Sequence, residues 1–600
     1  MRFFSTLIAS TLGTFVALGV LVFFLFVFSF AVVASGDSTP PVRSGSVLVM
    51  ELGGPLPELV ADDPFLEAFG DGAPYDLLDV KSALAKAAAD DRIDGVWLQF
   101  RGLSTSWAVR EELRDALLRY KESGKPLIAS SDDFPMLEGD YYLASTADSV
   151  YAQPDAFFEF NGFSIVAEFY KGLLDRLEVE PTIVRAGDFK SAVEPFLRTD
   201  LSDENRAQLS ELVTTTHEAF LTAVAESRDL PRARLDELMQ TSPPITSNDA
   251  LEAALIDDLL FPDQVARRML TLIGQDEEER LRTVSLSTYK RISPSQAGLD
   301  VGTDGQIAVV YGVGTIQSGS STGPSLTGGS ALGADTFVDA MREARTSNQV
   351  DAVVVRINSG GGSNTASDLM RHAIAETALE KPVIVSMGGV AASGGYLAAI
   401  AADTIVANPM TITGSIGVFL LGFSLEPFFE EQVGITFDEV TTSPYADLFA
   451  SLDGFDESER VLMERSVEDT YQGFLRAVAE ARGMSMSEVE AVASGRVWTG
   501  TAAQKEGLVD VLGSLRTAVE LAAEAADLEP NSYQLRVLPR PKTALEQFAE
   551  GFSAQTRRAW LRLITTPAER QLLERGRLVE SILAKRNTVQ AWLPTEYEIR

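Results

Sequence analysis

"EKPVIVSMGGVAASGGYLAAIAADTIVANP", Glu380 to Pro409, has an earlier counterpart in "GKPLIASSDDFPMLEGDYYLASTADSVYAQP", Gly124 to Pro154. In both, a Lys-Pro pair introduces a short apolar run. A turn follows, then a stretch rich in Ala, Leu and Tyr, then a second apolar run closed by proline. Short β-branched runs bounded by turn formers read as buried strands, and the alanine-rich stretch between them as a helix. Strand–helix–strand order implies parallel strands joined by right-handed crossovers, hence an α/β fold.

The correspondence extends in both directions. "GSVLVMELGGPLPE" from Gly45 resembles "GQIAVVYGVGTIQSG" from Gly305. "DRIDGVWLQFRG" (Asp91 to Gly102) resembles "NQVDAVVVRINSG" (Asn348 to Gly360), and "ITSNDALEAALIDDLL" (Ile245 to Leu260) echoes "VWTGTAAQKEGLVDVL" (Val497 to Leu512). Four pairs in one order, each about 255 residues apart, make an internal duplication. The expected organisation is a membrane anchor and tether over 1–44, a first repeat over 45–295, a second over 305–530, and an extension over 531–600 without a counterpart. A turn-rich linker, Arg291 to Gly305, separates the copies.

Composition narrows the function classes. The chain has 600 residues, 45% hydrophobic and 23% charged, which suits globular domains with ample cores. Its net charge, 50 − 86 = −36, repels phosphate backbones, so no nucleic-acid partner is expected. With no cysteine there is no disulfide, thiolate metal site or thiol nucleophile. From Phe3 to Gly36 no residue is charged, a longer run than the roughly 20 residues that cross a bilayer. A retained transmembrane helix is expected around Leu7 to Ala34. Arg2 before it and the Pro/Ser/Gly-rich tether after it place the remainder on the outer face of a cytoplasmic membrane.

Ser393 lies where an apolar strand turns through Gly388 and Gly389 into a helix. A serine there is an ordinary helix cap, or a nucleophile if a base and an anion-binding turn stand beside it. A second glycine cluster, "NSGGGSNTAS" (Asn358 to Ser367), also joins a strand to a helix. Free N–H groups at such turns can hold an oxyanion. His217 and His372, the two histidines, lie inside helical patterns and read as packing or surface residues. An amine can serve as base if burial strips its proton. Lys190, in "IVRAGDFKSAVEPFLR", has Phe189, Ala192, Val193 and Phe196 around it, although snorkelling lysines have such neighbours too. Aligning the copies sets Lys190 opposite Ala446 and Ser393 opposite Gly139, so each copy holds one half of a candidate dyad.

These stretches, "GDFKSAVEPF", "NSGGGSNTAS", "MGGVAASGGYLAA", "ANPMTITGSIGV" and "RVWTGTAAQKEGLVD", together resemble the signal peptide peptidase A (protease IV) family in its long bacterial form. The resemblance runs from the anchor to about residue 530. It implies tandem duplicated domains of the Clp protease/crotonase type that build a joint site, with Ser393 as nucleophile and Lys190 as general base. Ser415 would orient the lysine, and the main chain at Gly361 and Gly394 would form the oxyanion hole. Gly360 stands where the family usually has proline. The implied activity is a membrane-anchored serine endopeptidase that degrades remnant signal peptides and other apolar peptides, without metal or cofactor, as a homotetramer. Val390, Leu397 and Phe419 are expected in the pocket lining. The competing readings are a crotonase-like acyl-CoA hydratase or isomerase, which would normally use a carboxylate base, and a silent membrane scaffold. "QTRRAWLRLITTP" (Gln555 to Pro567) suits packing or an interfacial membrane contact.

Overall fold

The computed structural model describes residues 42–60, 75–132, 134–300, 302–322, 331–449 and 452–540, the backbone of a strand at 590–592, and isolated positions 13, 17 and 20. Apart from those three positions, the expected anchor lies outside the described residues, as does the 555–567 stretch. Among the described residues no helix is long and apolar enough to cross a membrane.

In the first repeat β1 (Ser46–Pro55), β2 (Ile93–Ser104), β3 (Leu127–Ser131) and β4 (Ser149–Ala152) pair successively in parallel. Helices α1 (Leu77–Ala89), α2 (Trp107–Lys121) and α3 (Glu138–Ala144) form the crossovers. Their starts are written locally: Asp76 and Asp79 form a reciprocal capping box on α1, and Ser106 caps α2. Strand β5 (Glu180–Ala186) then leaves this sheet, and the long helix α4 (Asp203–Arg228) follows. Two short strands, β6 (Asp258–Leu259) and β7 (Thr283–Ser285), finish the sheet in the order β6-β4-β3-β2-β1-β7.

The second repeat repeats the plan. Strands β8 (Gly305–Val313), β9 (Thr315–Gln317), β10 (Ala331–Gly333), β11 (Ala352–Ser359), β12 (Gly361–Ser363) and β13 (Val383–Ala392) alternate with α5 (Ala334–Thr346) and α6 (Asn364–Ala378). The short helix α7 (Gly394–Ala399) follows β13, leading to β14 (Thr404–Ala407), β15 (Ile412–Gly414) and β16 (Val418–Ser424). Then come β17 (Val497–Thr499), β18 (Val511–Leu512), β19 (Tyr533–Leu538) and β20 (Gln590–Trp592). Strands β19, β8, β11 and β13 run side by side in parallel, with β14 and β15 both on β13. Most of β11 is buried on both faces, which is why "AVVV" (Ala352 to Val355) reads as an unbroken apolar run. β19 pairs with β8 as β7 pairs with β1, so the second sheet continues past the boundary drawn at residue 530.

A third sheet, in the order β10-β9-β12-β20-β16-β5, joins the copies. Along β5 and β16 the pairing is antiparallel, from Glu180 opposite Ser424 to Ala186 opposite Val418. Val184 and Ala186 thereby enter the core of the second repeat, while Met410 of the second repeat enters the core of the first. The apolar face of β5 is buried by the other copy.

Candidate active site

The β5–β16 register brings the chemistry together. Lys190 lies four residues past Ala186, and Ser415 three residues before its partner Val418, so both stand at one end of the ladder. The turn after β5 is tied to the second repeat, with the N–H of Phe189 donating to the Ser494 carbonyl at 2.9 Å. Gly495, at φ +80°, presses on it: a Cβ there would lie 2.6 Å from the Cβ of Lys190, so only glycine lets the turn seat.

Ser393 joins β13 to α7 at φ 54° and ψ −115°, and its hydroxyl makes no cap bond to the helix. A serine held at positive φ costs on the order of 1–3 kcal/mol and persists only where the surroundings enforce it. Here its N–H donates to the Gly414 carbonyl at 2.8 Å. The following turn is closed tightly enough that a Cβ on Gly395 would meet the Ser359 carbonyl at 2.6 Å. The resulting sharp strand-to-helix turn presents the hydroxyl as nucleophile turns in hydrolases do. The helix-cap reading of Ser393 is set aside.

Lys190 Nζ stands 2.7 Å from Ser393 Oγ, 3.0 Å from Ser415 Oγ and 3.1 Å from the Ser415 carbonyl. Lys190 is 1% exposed, and Ser393 and Ser415 are fully buried. Burial alone pulls the amine down from the ordinary lysine range to about 7. Such an amine is substantially neutral near neutrality and can accept a proton. The Ser393 hydroxyl also lies 3.4 Å from the Gly417 carbonyl, a long contact that leaves the amine as its principal partner.

The two glycines expected to hold an oxyanion differ in setting. Gly394 is the first residue of α7, so its N–H has no acceptor within that helix. The N–H of Gly361, at φ +99°, donates to Ser359 Oγ at 3.1 Å. Ser359 Oγ donates in turn to the Gly314 carbonyl at 2.6 Å. Between β12 and β16 lies β20, antiparallel to both, with Trp592 opposite Gly361 and Gln590 opposite Phe419.

The histidines stand elsewhere: His217 contacts Asp236 at 3.2 Å on α4, and His372 lies on α6, away from the dyad. The position that mirrors Ser393, Gly139, lies under the Arg110 guanidinium, where a Cβ would come within 2.4 Å of Cζ. Ala446, opposite Lys190 in the alignment, is exposed. Of the expected lining residues, Leu397 and Phe419 are buried core side chains and Val390 is half-buried. Gln208 of α4 carries a role that its place in the sequence does not announce. Its Nε2 donates to Ser191 Oγ at 3.0 Å and its Oε1 accepts from the Val497 N–H at 3.2 Å, so it ties the lysine turn to the second repeat. A glutamine inside a polar helix gives no local signal of that role. Among the described residues no group of three or more His, Asp or Glu side chains could hold a metal ion.

The model of peptidase family S49 matches this chain twice, over residues 119–276 and 375–529. The chain belongs to peptidase family S49. It carries the family's domain in duplicate and is a serine peptidase. The chloroplastic serine protease SPPA of Arabidopsis thaliana is 34% identical over 516 residues, spanning 86% of this chain and 74% of its own length. Protease 4 of Salmonella typhi is 34% identical over 464 residues, spanning 76% of this chain and 72% of its own. Among solved structures, a mutant ClpP1 from Listeria monocytogenes is similar at 17% identity and a TM-score of 0.22, over 35% of this chain and 94% of its own.

Proposed function

We propose that this S49 peptidase uses Ser393 as nucleophile and neutral Lys190 as general base, and cleaves apolar peptides, remnant signal peptides among them. The observation that carries this reading is the 2.7 Å approach of a fully buried lysine amine to Ser393 Oγ. The amine takes the hydroxyl proton as Oγ attacks the peptide carbonyl, and the ammonium then protonates the departing amine. Water, activated by the same lysine, hydrolyses the acyl-enzyme. Ser415 holds Nζ on line for both transfers.

In this reading the Gly394 N–H faces the developing oxyanion, and the Gly361 N–H joins it by leaving Ser359 Oγ. Loss of one such donor typically costs ~10²–10³ in rate. An extended substrate would lie between β12 and β16 by strand addition, the position in which β20 is found. An acyl-CoA hydratase or isomerase reading gains no support here, since no carboxylate faces Ser393 in the contacts above. Exposed Ile435, Phe437, Val440 and Phe449 suit contacts between subunits of a homotetramer. The uncharged N-terminal run supports attachment to the cytoplasmic membrane with the catalytic part on its outer face.

The test is a fluorophosphonate probe with mass-spectrometric mapping on the full chain in detergent, beside cleavage of an apolar peptide ester. Modification at Ser393 that disappears in Lys190→Ala, with loss of cleavage, is expected. Cleavage that survives in Ser393→Ala would overturn the assignment.

A further inference from the structure

The first repeat reaches the candidate site at a second point. After β1, residues 56–60 are pinned by three backbone contacts. The Leu56 N–H donates to the Ser104 carbonyl at 3.1 Å, the Leu77 N–H to the Pro57 carbonyl at 3.1 Å, and the Val60 N–H to Asp76 Oδ2 at 3.0 Å. The Glu58 carboxylate is thereby sent into the second repeat, where it is 4% exposed. Its two oxygens accept from Arg356 of β11, Nη2 to Oε1 at 3.0 Å and Nε to Oε2 at 3.1 Å. Arg356 has no exposed surface and also pairs with Glu112 of α2 at 2.7 Å; Glu112 in turn meets Lys81 at 2.6 Å. Two buried acids of the first repeat thus face one cation, Arg356, across the boundary between the copies, and Lys81 of their own repeat completes the cluster.

Each acid also accepts from an asparagine of the second repeat, Glu112 Oε1 from Asn408 Nδ2 at 3.0 Å, but only the partner of Glu58 leads to the Ser359–Gly361 turn. The Asn358 Nδ2 donates to Glu58 Oε1 at 3.1 Å, while Asn358 Oδ1 accepts from the Val390 N–H at 3.1 Å. The Asn358 carbonyl accepts from the Gly314 N–H at 3.0 Å. Asn358 is therefore held from three sides, and the next residues along the chain are Ser359, Gly360 and Gly361. Ser359 Oγ holds the Gly361 N–H, and the Ser359 carbonyl abuts Gly395 beside the nucleophile. The space for this arrangement is made by Gly388, where a Cβ would lie 2.8 Å from Glu58 Oε1 and 3.0 Å from Asn358 Cβ.

We propose that Glu58 is a positioning residue for the peptidase reaction: its carboxylate, through Asn358, sets the Ser359–Gly361 turn that carries one oxyanion donor. The inference rests on the Ser393–Lys190 reading. A buried ion pair alone is weak evidence of a role, because burying charges costs about what their attraction returns. The Asn358 bond gives Glu58 a consequence that the ion pair does not. A turn displaced by about 1 Å misplaces a donor that acts only on the transition state, and such a shift can cost ~10² in rate.

The test measures kcat and KM on the full chain with an apolar peptide ester for wild type, Ser393→Ala, Glu58→Gln, Asn358→Ala, Glu58→Gln with Asn358→Ala, and Glu112→Gln. Glu58→Gln and Asn358→Ala are expected to lower kcat by ~10–10² with KM within about threefold, and the double variant to fall no further than the worse single. Glu112→Gln removes the other carboxylate on Arg356 and is expected to hold kcat within about threefold, whatever it does to the melting temperature. If Glu58→Gln fails to fold, Glu58→Gln with Arg356→Met removes both charges, and the same fall in kcat is expected of it. Unchanged kcat in the Glu58 variants, multiplicative losses in the double variant, or an equal loss in Glu112→Gln would overturn the proposal while leaving the dyad standing. Wild-type cleavage that survives in Ser393→Ala would overturn the underlying reading, and this inference with it.

Discussion

Ala186 stands opposite Val418 in an antiparallel ladder, and that pairing carries Lys190 of the first repeat to within 2.7 Å of Ser393 in the second. The two residues are 203 positions apart in the chain. In the proposed roles of base and nucleophile, two groups held this way would act at effective molarities that can reach ~10⁵–10⁸ M.

Removing either partner should remove the reaction. Ser393→Ala and Lys190→Ala are each expected to lower kcat/KM by at least ~10³ while the far-ultraviolet circular dichroism is unchanged. Lys190→Arg should fail as well, since a guanidinium cannot give up its proton in this range. Turnover near wild type in any of the three would refute the dyad.

The depressed Lys190 pKa sets the pH dependence. The amine is the base only when neutral, so kcat/KM is expected to rise with pH and to level off above a midpoint of about 7. For stability the sign is the same: between about 7 and the ordinary lysine value the unfolded chain binds a proton that the folded chain does not. Wild type should therefore gain stability relative to Lys190→Met as pH rises through that window, and chemical denaturation at several pH values reads it out. A flat difference would mean the lysine is not buried neutral.

Gly495 offers a test of the packing behind the base. Gly495→Ala puts a methyl group 2.6 Å from Lys190 Cβ, at a residue with φ +80°. We expect ~10²-fold lower kcat, because the displaced amine no longer lines up with Ser393. An active Gly495→Ala would show that the turn has slack.

Separated copies should be silent. The fragment Gly45–Arg291 holds Lys190, and Gly305–Arg540 holds Ser393 together with β19, which pairs with β8. Activity is expected only when the two are mixed, because β5 must pair with β16 for the amine to arrive. Activity from the second fragment by itself would require a base other than Lys190.

The tail gives the remaining prediction. Because β20 fills the slot between β12 and β16, a chain ending at Arg540 should show a severalfold lower KM for an extended apolar peptide, with kcat close to wild type. Identical KM values for the two chains would mean that β20 does not compete.

Much of this protein was legible in its residues because the signals are local. Apolar runs followed by helical stretches declare the α/β plan, and their recurrence declares the duplication. The missing serine at Gly139 and the missing lysine at Ala446 pointed to one site shared between the copies. Tertiary structure alone decided which groups meet. Nothing in "EPTIVRA" says that its partner is "VFLLGFS" of the other repeat, because strand pairing is set by which apolar faces remain to be buried. The same holds for Glu58, which reads as one more acid in an acidic chain until Arg356 and Asn358 close around it. It holds for Gly388, read from sequence as part of a turn and found to be room for that carboxylate. The lowered pKa of the Lys190 amine is likewise not a property of its neighbours in sequence. It comes from complete burial, and the second repeat supplies a large part of the wall.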